Sequence, residues 1–366
     1  MAEKKKSPLA EYEDFRPKVE SLANKVKELI ADIAEGHDIN PHAIEARAKT
    51  PESLQKKINK PGKTYKEPLK EITDLCGVRA ILYYQEDVET LCTAIKKEFK
   101  INEQHSIDKR QELKTDQFGY ISNHIVCKID HKRQNLVEWR KYKEIYIEIQ
   151  VRTVLQHAWA SISHTQTYKS EKETPPNIAR QLSRVAGLLE LADEQFSSLR
   201  EKTKDFLDDV QNNIERNNLN LPINAISISE FLNKSQLVKT IINIVERSGL
   251  GVDIEDEDVE QVATVCDCLQ ITSLSDIEHR LESFQGSYKY FFDEFAALNE
   301  KDGVERKYVT GGKDHWCAVA IAAASHKDQS LPDLLEGEIW SKSYFEDIIK
   351  SLQKIGINPI QKRRIH

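Results

Sequence analysis

The segment EIYIEIQVR (144–152) alternates Ile145, Ile147, Ile149 and Val151 with Glu144, Tyr146, Glu148, Gln150 and Arg152. Successive side chains of a strand point to opposite faces, so this spacing predicts one apolar face and one face carrying Glu148, Gln150 and Arg152. A second acid, Asp74, stands just ahead of GVRAILYY (77–84), an apolar run that reads as a buried strand. Carboxylates on two strands of one sheet can converge on a divalent cation, since Mg²⁺ takes one or two carboxylates and fills its remaining positions with phosphate oxygens and water. Position alone leaves the blander alternative open, in which each acid is solvated or paired with a Lys or Arg. The company of these acids favours chemistry. Arg47, Lys49, Lys56, Lys57, Arg79, Arg152 and Lys169 flank the same predicted sheet, and phosphate transfer needs fixed cations around a metal to neutralise developing charge. The competing reading is that half of them merely solvate helices. His157 and His164 share a predicted helix face and read as packing or capping residues.

Other phosphate scaffolds are excluded. The sequence contains no G-x-x-x-x-G-K-[ST], no G-x-G-x-x-G, and neither H-R-D nor D-F-G, so a Walker-type ATPase, the usual dinucleotide site and a protein kinase are all unsupported.

The elements that must position these residues follow from periodicity. Segment 10–36 places Val19, Leu22, Val26, Leu29, Ile30 and Ile33 at helical spacing and stops at Gly36. Pro51 and Glu52 open a short helix through Ile58. Residues 86–99 have the helical period, 120–129 are β-rich, and the helical period returns after Val154 and again from Pro176 to about Asn217. Strands separated by helices predict an α/β fold, a mixed sheet with helices packed on it.

A chain of 366 residues makes about two domains. Charged residues make up 31% against 39% hydrophobic, no apolar run is long enough to span a membrane, and MAEKKKSPLAEYEDF has no apolar stretch behind its lysines. The expectation is a soluble, cytoplasmic protein with no membrane partner. Six cysteines without a C-x-x-C pair read as reduced, buried thiols. Residues 1–220 carry 37 Lys and Arg against 36 Asp and Glu, whereas 221–366 carry 16 against 24, so the net charge of −7 resides in the second part. With the Asn-rich stretch before Pro222, this predicts two modules, 1–220 and 221–366. The run 252–260 reads as a solvated helix start rather than a metal site.

Five segments in order, ARAKTPESLQKKI (46–58), EITDLCGVRAI (71–81), FGYISNH (118–124), EIQVRTVLQHAWASISH (148–164) with TYK (167–169), and LSRVAGLLELADEQFSSLR (182–200), resemble the RelA/SpoT synthetase domain. The resemblance covers about residues 20–200. With no hydrolase module ahead of it, the chain is similar to stand-alone small alarmone synthetases. This likeness implies a nucleotidyltransferase-like mixed sheet and, as reaction, transfer of the β,γ-pyrophosphate of ATP to the 3′-hydroxyl of GDP or GTP with Mg²⁺. By motif, it implies that Asp74 and Glu148 are the acidic pair that holds the metal and activates the acceptor. Arg47, Lys49, Lys57 and Arg79 would contact ATP. Tyr120 would stack on the acceptor base, and His124, Gln150, Arg152 and Lys169 would line the acceptor side.

Two departures leave the acceptor open. LKTDQFGY replaces the Lys-Pro-Asn that commonly precedes GY, which leaves Lys114 unaligned, and the FGY and LQHAWA spellings are similar to toxin branches that pyrophosphorylate the 3′-CCA end of tRNA. The alternative function is therefore a toxin acting on tRNA or an adenine nucleotide, with the second module as a fused antitoxin. A third is an inactive nucleotide-binding sensor, which the intact acidic pair argues against. In the second module, 227–251 reads as one helix capped by Ser229 and ended by Gly249, and SDIEHRLESF, SYKYFFDEFAALNE and SKSYFEDIIKSLQK read as further helices of a small bundle. GGKDHWCAVAIAAASH (311–326) has glycines ahead of a helix, as an anion site would, but its Ala and Val content reads as a core helix. This module is expected to regulate or interact, either by forming a homo-oligomer or through an intramolecular contact of its acidic surface with the cationic ATP segment.

Overall fold

The protein was analysed as a computed structural model that describes residues 7–108, 123–166, 175–253, 255, 258–299, 310–327 and 340–357. It divides into two units, Met1–Glu201 and Lys202–His366.

The first unit is built on strands that alternate as their sequences dictate. Its elements are α1 (Pro8–Glu35), β1 (Ala43–Ala48), α2 (Pro51–Ile58), α3 (Pro68–Glu71), β2 (Cys76–Leu82), α4 (Gln85–Glu98), β3 (Phe99–Ile101), β4 (Ile107–Asp108), β5 (Asn123–Ile129), α5 (His131–Gln134), β6 (Ile147–Thr153), α6 (Val154–Gln166) and the first part of α7 (Pro176–Glu215). The sheet runs β1-β2-β6-β5-β3, with β4 also on β5. The β2–β6 pair is parallel, and its neighbours β1 and β5 are antiparallel to it. This is the mixed sheet expected. Val78, Ala80, Leu82, Ile147, Ile149, Val151, Ile125 and Cys127 all enter one core, together with Val19, Leu22, Val26 and Ile30 of α1. Burying this face is what fixes the register, because a slip of one residue would turn every apolar side chain to the other side.

Helix α1 ends at Glu35, with Gly36 as its C-cap in a right-handed conformation; the left-handed turn falls at Asp38. Strand β1 was not among the expected elements. Its Ala-rich sequence, AIEARA, is short and only weakly apolar, and pairing of its whole length with Cys76–Ile81 of β2 supplies what its own propensity lacks. At the end of β6, Thr153 caps α6 reciprocally with Gln156: Thr153 Oγ1 accepts from Gln156 N at 3.1 Å and Gln156 Oε1 accepts from Thr153 N at 2.9 Å. The same hydroxyl donates to the buried Asp193 of α7 at 2.7 Å.

The second unit is mainly helical, as expected: α8 (Ala225–Lys234), α9 (Gln236–Arg247), α10 (Glu260–Cys268), α11 (Leu274–Ser283), α12 (Tyr288–Asn299), α13 (Lys313–Ala324) and α14 (Lys342–Lys354), with a short parallel pair of β7 (Gly251–Asp253) and β8 (Thr310–Gly312). The single helix expected over 227–251 is two helices. Ser235 breaks it by capping α9, its Oγ accepting from Val238 N, and α8 is capped by Asn224 rather than Ser229, in a box with Ser227. Gly249 does sit in the left-handed region, at φ +84°. Helix α13 is the core helix its composition predicts, with Trp316 and every residue through Ala323 buried. Its preceding glycines serve packing, since a Cβ on Gly311 would collide with the His315 ring. Among the described residues, no helix is long and apolar enough to cross a membrane.

Ile149 is fully buried at the centre of β6. Ile149→Ala should lower unfolding free energy in urea by about 2–5 kcal/mol. A cost near zero would show that β6 is not the centre of the sheet.

Candidate active site

The second face of the sheet is polar, and the register assembles it row by row. Arg47, Gly77 and Glu148 form one row across β1, β2 and β6; Glu45, Arg79, Gln150 and His124 form the next, extending onto β5. Paired residues share a face, and Glu45, Arg47, Arg79, Glu148 and Gln150 border one cleft of about 210 Å³. Gly77 adds no side chain to its row, and a Cβ there would already lie 3.5 Å from Arg47 Cγ.

Asp74 lies at the mouth of β2, where two lysines meet it. Its Oδ2 accepts from Lys49 Nζ at 2.7 Å and from Lys57 Nζ at 2.8 Å. Lys49 follows β1 directly, while Lys57 is carried in the last turn of α2, whose start is fixed by Thr50 Oγ1 accepting from Ser53 N at 3.2 Å. Burial opposes the Asp74 charge, but the two ammonium groups outweigh burial and hold the carboxyl below its ordinary value of 3.8. Glu148 is held on both oxygens: Oε1 lies 3.3 Å from His124 Nδ1, and Oε2 accepts from Gln150 Nε2 at 3.3 Å. Burial again opposes its charge, His124 more than compensates, and the carboxyl titrates below 4.5; Asp74 and Lys57 are close enough to push in opposite directions.

The far part of the face is cationic. Arg79 Nη1 donates to Glu45 at 2.9 Å, and Arg152 Nη2 donates to Gln150 Oε1 at 3.2 Å. Arg152 is only 4% exposed; burial, then Arg79 and Arg47, push it down to about 10 against the pull of Glu45. The Nε atoms of both Arg79 and Arg152 are buried without a hydrogen-bond partner among the described residues. Donors left over in a positive cleft suit a ligand with several anionic oxygens. His157, read from sequence as a packing or capping residue, is half-buried near this group; burial first, then Arg152 and Arg79, lower its pKa.

The structure thus brings together Asp74, Glu148, Lys49, Lys57, Arg47, Arg79, His124, Gln150 and Arg152. Lys56 is exposed on α2. Tyr120, Lys114 and Lys169 lie outside the described residues, as does the side chain of His164. Sequence reasoning missed Glu45, the partner of Arg79, because it sits on β1, a strand that only its pairing with β2 makes.

Mg²⁺ fits these residues. Asp74 Oδ1 is buried with no hydrogen-bond partner among the described residues, both carboxylates are held ionised, and carboxylate oxygen is the donor this ion takes. Among the described residues no cluster of three or more acidic, His or Cys side chains could hold a metal alone. Two carboxylates with substrate oxygens would complete its shell.

A carboxyl depressed in the folded state stabilises the fold above its unfolded pKa, and loses that effect as pH falls through the folded value. Asp74→Asn should therefore cost about 1–3 kcal/mol at pH 7, and the gap from wild type should close as pH falls below 3.8. Urea unfolding at pH 7, 5 and 3 measures this; a gap constant with pH would mean that Asp74 is not charged in the folded protein.

Residues 46–173 match the family described as the region found in RelA / SpoT proteins. Over 173 residues, 47% of this chain and 79% of the relative, the sequence is 27% identical to the GTP pyrophosphokinase YwaC of Bacillus subtilis (strain 168). Over 190 residues, 51% of this chain and 85% of the relative, it is 25% identical to the GTP pyrophosphokinase YjbM of the same organism. Among solved structures, a GTP pyrophosphokinase family protein from Streptococcus pneumoniae is similar at 23% identity and a TM-score of 0.45, covering 53% of this chain and 95% of that one. The small alarmone synthetase 1 of Bacillus subtilis bound to its product pppGpp is similar at 25% identity and a TM-score of 0.43, covering 53% and 98%. The alternative of a fused toxin and antitoxin finds no support in these matches. The N-terminal half of the chain is thus similar to the RelA/SpoT region and to GTP pyrophosphokinases, and the chain extends beyond the matched residues.

Proposed function

We propose that the first unit transfers the β,γ-pyrophosphate of ATP to the 3′-hydroxyl of GDP or GTP, giving (p)ppGpp. The observation that carries this reading is the pairing, on one sheet face, of an ionised Asp74 and Glu148 with Lys49, Lys57 and a partly unsatisfied arginine group. Its relatives in sequence are GTP pyrophosphokinases, which supports the guanine nucleotide as acceptor.

In this reading the ATP phosphates lie over Lys49, Lys57, Arg47 and Arg79, which neutralise charge as it shifts toward the leaving group. Glu148, oriented by His124 and Gln150, accepts the proton of the 3′-hydroxyl. The 3′-oxygen forms a bond to the β-phosphorus, the bond from that phosphorus to the α,β-bridging oxygen breaks, and AMP departs with the electron pair. Asp74 and Glu148 would hold Mg²⁺, which when bound supplies further neutralisation of the phosphate oxygens.

Purified protein given ATP labelled at its γ-phosphorus, with GDP, GTP, ATP or deacylated tRNA in turn, should move label to GDP or GTP with release of AMP. Label reaching only tRNA or ATP would replace the acceptor, and no transfer at all would favour the nucleotide-binding sensor. Glu148→Gln should lower kcat by roughly 10²–10⁴-fold while ATP affinity stays within a few-fold, because the amide keeps shape but takes no proton. Retained turnover would remove Glu148 from the base role. By motif, Tyr120 offers its ring to the acceptor base. Tyr120→Ala should raise the KM of the acceptor roughly tenfold to a hundredfold and leave that of ATP nearly unchanged; equal weakening of both would contradict the assignment.

A further inference from the structure

Lys49 is the single residue between Ala48, the end of β1, and Thr50, the cap of α2. Its backbone is held at both polar atoms. The N–H donates to Leu75 O at 2.9 Å, and the carbonyl accepts from the Tyr12 hydroxyl at 2.6 Å. Tyr12 sits near the start of α1 and is fully buried. It lies 37 positions away in sequence and ahead of the matched region 46–173. Its ring lies in the same apolar core as Val19 and Leu22 while its one polar atom reaches the site.

A buried tyrosine hydroxyl must find a partner. Here the partner is the carbonyl of the residue whose Nζ holds Asp74 at 2.7 Å. Thr50, directly after it, opens the helix that brings Lys57 to the same carboxylate oxygen. A shift of the Lys49 carbonyl would move both ammonium groups against Asp74. The other tie, from Lys49 to Leu75, anchors the same point to the residue beside Asp74. Burial, foremost, pushes the Tyr12 hydroxyl up to about 12, so it remains a donor throughout the neutral range.

We infer that Tyr12 is a positioning residue: its hydroxyl fixes the backbone from which Lys49 and Lys57 are aimed at Asp74. It touches no substrate in this scheme. The kinetic arm of its test rests on the proposed pyrophosphate transfer, and the spectroscopic arm does not.

Tyr12→Phe in the full chain removes the hydroxyl and keeps the ring. In protein carrying ¹³Cε-lysine, with Lys49→Arg and Lys57→Arg spectra for assignment, the Lys49 and Lys57 signals should shift in Tyr12→Phe while the other lysines stay in place. Unmoved signals overturn the inference whether or not the protein transfers pyrophosphate. In turnover, Tyr12→Phe should raise the KM of ATP or lower kcat by roughly tenfold to a hundredfold, the range expected when catalytic groups are misplaced by about an ångström. In a background carrying both Lys49→Ala and Lys57→Ala, the same change should add less than about twofold, because the groups it positions are already gone. A full effect in that background overturns the inference, as does loss of the folded state in Tyr12→Phe, which would make the hydroxyl a requirement of folding alone. Wild type that transfers to no acceptor would defeat the functional reading, leaving the lysine spectra to decide the role of Tyr12.

Discussion

Strands β1, β2, β6 and β5 can be dry on one face only, and the rest of the first unit depends on that constraint. Alternation places Ile147, Ile149 and Val151 in the core that α1 and α4 also enter, and by the same geometry it must place Glu148, Gln150 and Arg152 together on the other side. The two cannot be separated. Whatever secures the apolar face, by burial of roughly 25 cal/mol for each Å² removed from water, also secures the spacing of the charged one. Parallel pairing of β2 with β6 then brings Gly77 and Arg79 beside Glu148 and Gln150, and antiparallel β1 adds Arg47 and Glu45 in the same rows.

Charge on that face is held by compensation. Desolvation opposes the ionised form of both Asp74 and Glu148, yet Lys49 and Lys57 at one, and His124 at the other, keep them charged. Two cations converging on one carboxylate oxygen leave the other oxygen of Asp74 without a partner among the described residues. Such an atom is costly to bury unless something meets it. The arginine group has the complementary imbalance, with Arg79 and Arg47 opposing the charge of the buried Arg152 against the pull of Glu45. A ligand carrying both a divalent cation and several phosphate oxygens relieves both, which is why we favour a nucleotide triphosphate over a neutral substrate.

Much of this was legible in the sequence because strand alternation and helix caps are local. Glu148, Gln150 and Arg152 could be placed on one face from EIYIEIQVR alone, and Pro51 with Ile58 bounded α2. Strand β1 was not legible: AIEARA has too little apolar weight to announce a strand, and only its partner β2 makes it one. The break between α8 and α9 was hidden because NKSQ carries neither Gly nor Pro, and Ser235 acts through its hydroxyl on Val238 N. Tyr12 was beyond sequence reasoning altogether, since its role is a contact across 37 positions that no period or motif encodes. The charge imbalance was plain in composition, but it says nothing of what the second unit does.

The central claim is that the polar sheet face binds metal and triphosphate. A crystal structure of the full chain with Mn²⁺ and a non-hydrolysable ATP analogue, recorded at the manganese edge, tests it most directly. The account predicts an anomalous peak touching Asp74 and Glu148, with the phosphates over Lys49, Lys57 and Arg79. Manganese and nucleotide bound away from both carboxylates, or on the acidic second unit, would contradict it.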